Sequence, residues 1–158
     1  MRLLNRIILH STATPEGRDV TVEEIRKWHL DRGWSDIGYH YVIYRNGAIK
    51  AGRPINQQGA HTLGHNEDSI GVVYVGGVDD AGTAKDTRTA PQRISMRLLI
   101  AYLKAKHGIK TVLGHKQCTH TECPSFDVDE LNRVSKYDML IAYGVVGSLI
   151  WWILKSKM

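Results

Sequence analysis

Cysteine is scarce in this chain: two residues in 158 are too few for a fold built on disulfides. Internal repeats and low-complexity runs are missing, and no Pro/Ser-rich linker divides the first 135 residues, which points to one domain. A secretory signal is missing too. The N-terminus, MRLLNRIILHSTATP, has only a short apolar stretch, lacks a small-residue cleavage pattern and soon turns polar. The expectation is a protein that stays in the cytoplasm unless something else releases it. Charge is absent from one stretch, Met139 to Leu154. Elsewhere the composition, 42% apolar and 23% charged, is that of a folded globular protein and excludes disordered and fibrous classes. The formal charge of +5 gives a weak attraction to polyanions but selects none, and no nucleic-acid partner is expected.

The pattern along the chain predicts a mixed α/β fold. Arg6 to Leu9 reads as a short buried strand. Thr21 and Glu24 form a capping box that opens a helix running through Trp28 and stopping near Gly33. Tyr39–Arg45 and Ala48–Arg53 read as a hairpin around Asn46-Gly47, a pair that favours a type I′ turn. Ile70 to Val75 is another buried strand, ended by Gly76-Gly77. Pro91 opens a helix with Ile94, Leu98, Ala101, Tyr102 and Ala105 at helical spacing, closed by Gly108. Lys110 to Leu113 reads as a strand and Asp127 to Val134 as a short helix. Strands interleaved with helices imply a mixed central sheet with helices packed on its faces.

Histidines stand at two strand ends: His10 follows RIIL and His115 follows TVLG, and strand ends deliver side chains to the sheet edge where sites are built. Cys123 lies eight residues beyond His115. Two imidazoles and a thiolate suit Zn²⁺ and leave a fourth position for water. Spacing alone leaves open ordinary strand-end histidines and a small buried cysteine. Tyr39 likewise reads as a half-buried strand aromatic. His40, its neighbour, is expected on the opposite face with a structural role. Lys50 and Arg53 read as solvated cations or as partners for a carboxylate, His29 and His107 as polar-face helix residues, and Trp28 and Trp34 as packing aromatics.

Four segments carry a resemblance: HSTAT at 10–14, EEIRKWHLDRGWSDIGYHYVIYRNG at 23–47, GAHTLGHNEDSIGVVYVGG at 59–77 and GHKQCTHTECPSFD at 114–127. Together they resemble an N-acetylmuramoyl-L-alanine amidase of the T7 lysozyme type, whose fold is shared with peptidoglycan recognition proteins. The likeness covers roughly residues 5 to 135, so an amidase domain is expected at 1–135. It implies hydrolysis of the amide between N-acetylmuramic acid and the L-alanine of the peptidoglycan stem peptide. It also implies one Zn²⁺ held by His10, His115 and Cys123, a catalytic Tyr39, and His61 and Asn66 contacting substrate or supporting the zinc site. Bound zinc would lower the pKa of its water and polarise the carbonyl, while the Tyr39 phenol could donate to the oxyanion.

The sequence departs from the T7 type at the second catalytic position. A lysine stands there two residues before the metal cysteine; here it is Thr121, as in catalytically active recognition proteins. A threonine hydroxyl orients water or holds an oxyanion but is a poor proton shuttle, so the group that protonates the leaving amine is left open. Cys118 could pair with Cys123 only at the expense of the thiolate, a conflict that a reducing compartment avoids.

Residues 136–158 are expected to form an apolar helix. The sixteen uncharged residues fall near the lower limit for spanning a bilayer, and Trp151, Trp152, Lys155 and Lys157 resemble an interfacial anchor. Membrane association through residues 138–154 is one expectation; a helix buried against the domain is the other. The functional expectation is a phage or prophage endolysin. The alternatives are a recognition module that binds peptidoglycan without cleaving it and a regulator of another protein, although no protein-binding surface is evident in the sequence.

Overall fold

The computed structural model describes residues 2–132. The elements are β1 (Arg6–Ser11), β2 (Thr14–Pro15), α1 (Val22–Asp31), β3 (Tyr41–Ile43), β4 (Ile49–Ala51), β5 (Ser69–Tyr74), β6 (Gly77–Val78), α2 (Ala90–His107), β7 (Thr111–Gly114) and α3 (Asp129–Asn132). Five strands form a mixed sheet in the order β4-β3-β5-β1-β7, and β2 and β6 form a small parallel pair beside it. All contacts in the large sheet are parallel except the β3–β4 hairpin. The central strands β1 and β5 are covered on both faces, which explains their nearly continuous apolar sequences.

Side-chain alternation sorts the core into two faces. On one, Ile7, Leu9, Ile70, Val72 and Tyr74 pack against Met96, Leu99, Ile100 and Leu103 of α2. On the other, Val42, Val73 and Val75 meet Val22 and Ile25 of α1. His10 has the parity of Ile8 and pairs in register with Val73, so it projects on the α1 side.

The helix ends follow the expected signals. Thr21 accepts the Glu24 N–H while the Glu24 carboxylate accepts the Thr21 N–H, and Gly108 ends α2 in the left-handed region at φ 69°. The face of α2 differs from the expected one. Ile94 is 60% exposed and Ala105 is exposed, whereas Gln92, Met96, Leu99, Ile100 and Leu103 are buried. Gln92 carries the stripe one turn further because its amide donates to the carbonyls of Ile43 and Val75 at the sheet end, which satisfies it in the core.

The hairpin forms, with a different turn. Only Gly47 has positive φ, at 86°, and its N–H donates to Tyr44 O while Tyr44 N–H donates to Ala48 O. That is a tight turn closed by a glycine bulge, not a type I′ turn, which would need Asn46 left-handed as well. Asn46 instead accepts the Ala48 N–H on its side chain. The apolar helix expected at 136–158 lies outside the described residues. Among the described residues no helix is long and apolar enough to cross a membrane.

Candidate metal centre and active site

His10 near the end of β1, His115 at the start of a 3-10 turn directly after β7, and Cys123 in the following loop converge on one point. Their ligand atoms all lie within 4.8 Å of one another. His10 Nδ1 is 3.8 Å from Cys123 Sγ, and the His10 and His115 ring centroids are 4.7 Å apart. Tetrahedral zinc with bonds of about 2.0–2.3 Å places its ligand atoms about 3.3–3.8 Å apart, so the trio needs only a small contraction to hold such an ion.

The surroundings suit a cation. Burial, then His61 and His115, hold the His10 imidazole well below its ordinary pKa, and burial lowers His115. Both are therefore neutral near pH 7, the form that ligates a metal. Burial raises the Cys123 thiol, opposed by the Ser11 N–H at 3.3 Å and the Ser11 hydroxyl at 3.8 Å. Those donors point at the sulfur where a thiolate would carry its charge, and cation binding would deprotonate it. Both cysteines are free.

Tyr39 joins this cluster, its ring 5.2 Å from His10 and 6.4 Å from His61. Burial, followed by the Cys123 sulfur, raises its phenol, so the group keeps a proton that it can donate. Thr121 lies in the loop before Cys123. Its oxygen accepts the Cys123 N–H at 3.3 Å, which leaves the hydroxyl proton free to donate. Thr121 lines an open cavity of about 370 Å³ together with Lys116, Thr119, His120 and Glu122.

His61 is buried against the centre, with Nδ1 3.1 Å from His10 Nε2. Asn66 does not reach the centre in this way. Its side-chain oxygen accepts the backbone N–H of His61 at 2.8 Å and of Thr62 at 2.9 Å, and so sets the loop that carries His61.

Several residues stand elsewhere than expected. His29 is buried, not on a polar face: its Nδ1 accepts the Gly38 N–H, its ring lies 4.5 Å from the Trp34 ring, and burial lowers its pKa to about 4. Arg53 donates to the carbonyls of Ile37, Gln58 and Asp36, so it braces the chain before Tyr39 and is no free cation. Trp34 is the packing aromatic expected, against His29, although 38% exposed. His40 is structural as expected, accepting the Gly71 N–H on Nδ1 with Nε2 against Gln57 O. It does not lie on the face away from the cluster, because β3 begins only at Tyr41; its ring comes within 5.8 Å of His61.

Comparison with known proteins agrees with this geometry. The family model described as N-acetylmuramoyl-L-alanine amidase matches residues 2–126. The chain belongs to that family. The endolysin of Escherichia phage T7 is 42% identical over 122 residues, covering 77% of this chain and 81% of the relative. Among solved structures, the N-acetylmuramoyl-L-alanine amidase LysC from Clostridium intestinale is 34% identical with a TM-score of 0.72, covering 81% of this chain and 82% of that one. Peptidoglycan recognition protein LE, solved with a monomeric diaminopimelic acid-type peptidoglycan, is 27% identical with a TM-score of 0.66, covering 78% and 75%.

Within the amidase, sequence reasoning missed three groups around the candidate metal ligands: Ser11 on the cysteine sulfur, Thr62 at 3.3 Å from His10 Nε2, and Ser69 at 3.3 Å from His61 Nε2. Serine and threonine are too common for their presence alone to mark them. The one available signal was the neighbourhood of Ser11, directly after a candidate ligand.

Proposed function

We propose that this amidase is a peptidoglycan hydrolase of the endolysin kind, cleaving the bond between N-acetylmuramic acid and the L-alanine of the stem peptide. The observation that carries the reading is the convergence of His10, His115 and Cys123 with Tyr39 at the end of the sheet. Those three residues would hold one Zn²⁺, with a fourth position open to water or substrate. When bound, the ion supplies a water acidified toward neutrality and a Lewis acid for the scissile carbonyl.

The chain's own groups do the rest. Ser11 stabilises the thiolate form of Cys123 through two donors. Tyr39, kept protonated, donates to the oxygen on which negative charge develops. Thr121 offers its hydroxyl proton to the same region and positions the reacting groups without acting as a strong acid. His61 supports the metal ligands, and Asn66 holds the loop that carries His61.

The reading extends to organisation and place of action. Residues 1–135 constitute the amidase domain, and residues 136–158 an apolar segment. The uncharged stretch at 139–154, followed by Lys155 and Lys157, supports membrane association of that segment. The enzyme acts on the wall once it gains access across the membrane. Deleting residues 136–158 is expected to leave a soluble domain active on isolated walls and lost from membrane pellets.

The test of the activity is mass spectrometry of purified peptidoglycan after treatment with the protein or its Cys123→Ser variant. Stem peptides with a free N-terminal L-alanine, produced only by the parent, support the enzyme. Binding to the wall with no released peptide would instead establish a recognition module.

A further inference from the structure

A row of buried polar groups lies behind His10. The His10 ring is buried, with Nδ1 toward Cys123 and Nε2 3.1 Å from His61 Nδ1. A neutral imidazole carries one proton. If Nδ1 is to offer a lone pair to a metal, the proton must sit on Nε2. His61 Nδ1 must then be the acceptor, which places the His61 proton on Nε2, 3.3 Å from Ser69 Oγ. The Ser69 hydroxyl in turn donates to His65 O at 2.5 Å. In this direction every donor finds an acceptor and the Nδ1 lone pair of His10 stays free for a metal. In the reverse direction His61 would donate to His10 Nε2, leaving the His10 proton on the nitrogen that faces Cys123. Thr62 Oγ1, 3.1 Å from His61 Nδ1 and 3.3 Å from His10 Nε2, is a rotor that fits either direction and so does not decide it.

A second observation concerns space. A Cβ on Gly71 would lie 2.4–2.7 Å from the His61 ring, and one on Gly59 would lie 2.5 Å from its Cδ2. Neither glycine has positive φ, so the backbone does not demand glycine at either position. Gly71 sits in the middle of a buried strand, where glycine weakens the sheet and often marks a close approach. Gly71 is also the register partner of Ile8, two residues before His10 on the same face. The missing side chain is the slot that the His61 imidazole fills.

We propose that His61, seated between Gly59 and Gly71 and anchored by Ser69, is a positioning residue that fixes the orientation and tautomer of His10 so that Nδ1 faces the metal centre. The inference rests on the metal reading of His10, His115 and Cys123. It assigns to Ser69, Gly59 and Gly71 a function in metal binding, exerted through His61 and without contact to the ion.

The test uses the full chain stripped of metal, with two readouts. Zinc affinity is measured by competition with a chromophoric chelator, and histidine tautomers are read from ¹⁵N shifts in the metal-free protein. The parent is expected to hold His10 with its proton on Nε2. His61→Ala is expected to weaken zinc binding about 10–100-fold, the range typical of outer-shell partners, and to give His10 a mixture of tautomers. His61→Asn, which returns an acceptor near the Nδ1 position, should recover most of that loss. Ser69→Ala should mix the His61 tautomers and weaken zinc binding several-fold, and it carries the test together with His61→Asn if His61→Ala does not fold. Gly71→Ala should weaken zinc binding although every ligand and His61 are retained.

Unchanged zinc affinity and an unchanged His10 tautomer in folded His61→Ala, or in both His61→Asn and Ser69→Ala with no graded loss between them, would overturn the inference. A parent that takes up no zinc would overturn the metal reading and this inference with it. A parent that binds zinc beside an unaffected His61→Ala would overturn this inference alone.

Discussion

Strand β5 presents Ile70, Val72 and Tyr74 to one side of the sheet and Ser69, Gly71 and Val73 to the other. The first side meets α2 through largely apolar side chains that repeat the strand period, and its one polar group, the Tyr74 hydroxyl, donates to Pro124 O at 2.8 Å. The second replaces bulk with a hydroxyl and a gap, and an imidazole from a loop occupies both. The two sides of one strand thus follow different rules. The α2 side gains its stability from area removed from water. The cluster side gives up apolar packing at Ser69 and Gly71, and resumes it at Val73, so that buried imidazoles can stack, hydrogen-bond and remain neutral.

Substitutions on the two sides should therefore fail in different ways. The largest effect is expected from Cys123→Ser, which removes one of the three proposed metal ligands. Stem-peptide release from peptidoglycan should fall by more than the about 100-fold upper range for outer-shell residues, while the circular dichroism spectrum is preserved. Tyr39→Phe removes the donor proposed for the developing oxyanion and should lower kcat by about 10²–10³-fold with little change in zinc content. Leu9→Ala, on the α2 side, should do the reverse. Denaturant unfolding should show a loss of about 2–5 kcal/mol, with the remaining folded protein still active.

Acid should weaken the cluster side through His29 and His40, both held near pKa 4 by burial against an ordinary value of 6.5. Between those values the unfolded chain binds more protons than the folded one. Stability is fully present above about pH 6.5 and declines as pH falls toward 4, with a slope of up to about 1.4 kcal/mol per pH unit for each histidine. Urea midpoints of metal-free Cys123→Ser across this range would measure it. A flat profile would show that these rings are solvated. The smallest effect is expected from Thr21→Ala, which removes the side-chain half of the α1 capping box and should cost about 1 kcal/mol in the same measurement.

The contrast between the sides also explains what could be read from the sequence. The capping box of α1 and the Pro-to-Gly span of α2 rest on local chemistry and formed where their residues indicated, while β1 runs two residues further than expected and takes in His10 and Ser11. His10, His115 and Cys123 were legible because strand ends and a resemblance in four ordered segments converged on them. The errors arose where a distant contact overrode a local pattern. The face of α2 shifted because Gln92 reaches two carbonyls across the sheet. His29 became a core residue because the Gly38 N–H needed an acceptor, and Arg53 turned inward onto three carbonyls. The alternation applied to Tyr39 and His40 failed because β3 starts after both of them. The glycine slot at Gly59 and Gly71 had no local signature, since neither position needs glycine for its backbone.

The central claim is that amide hydrolysis depends on a metal held by His10, His115 and Cys123. It is tested most directly by digesting purified peptidoglycan with the chelator-treated protein before and after adding back Zn²⁺, and counting released peptides that begin with L-alanine. The account predicts no release after chelation and recovery on zinc addition in the parent, with no recovery in Cys123→Ser. Equal release by chelated and zinc-restored protein, or zinc-dependent release by Cys123→Ser at the parental rate, would contradict it.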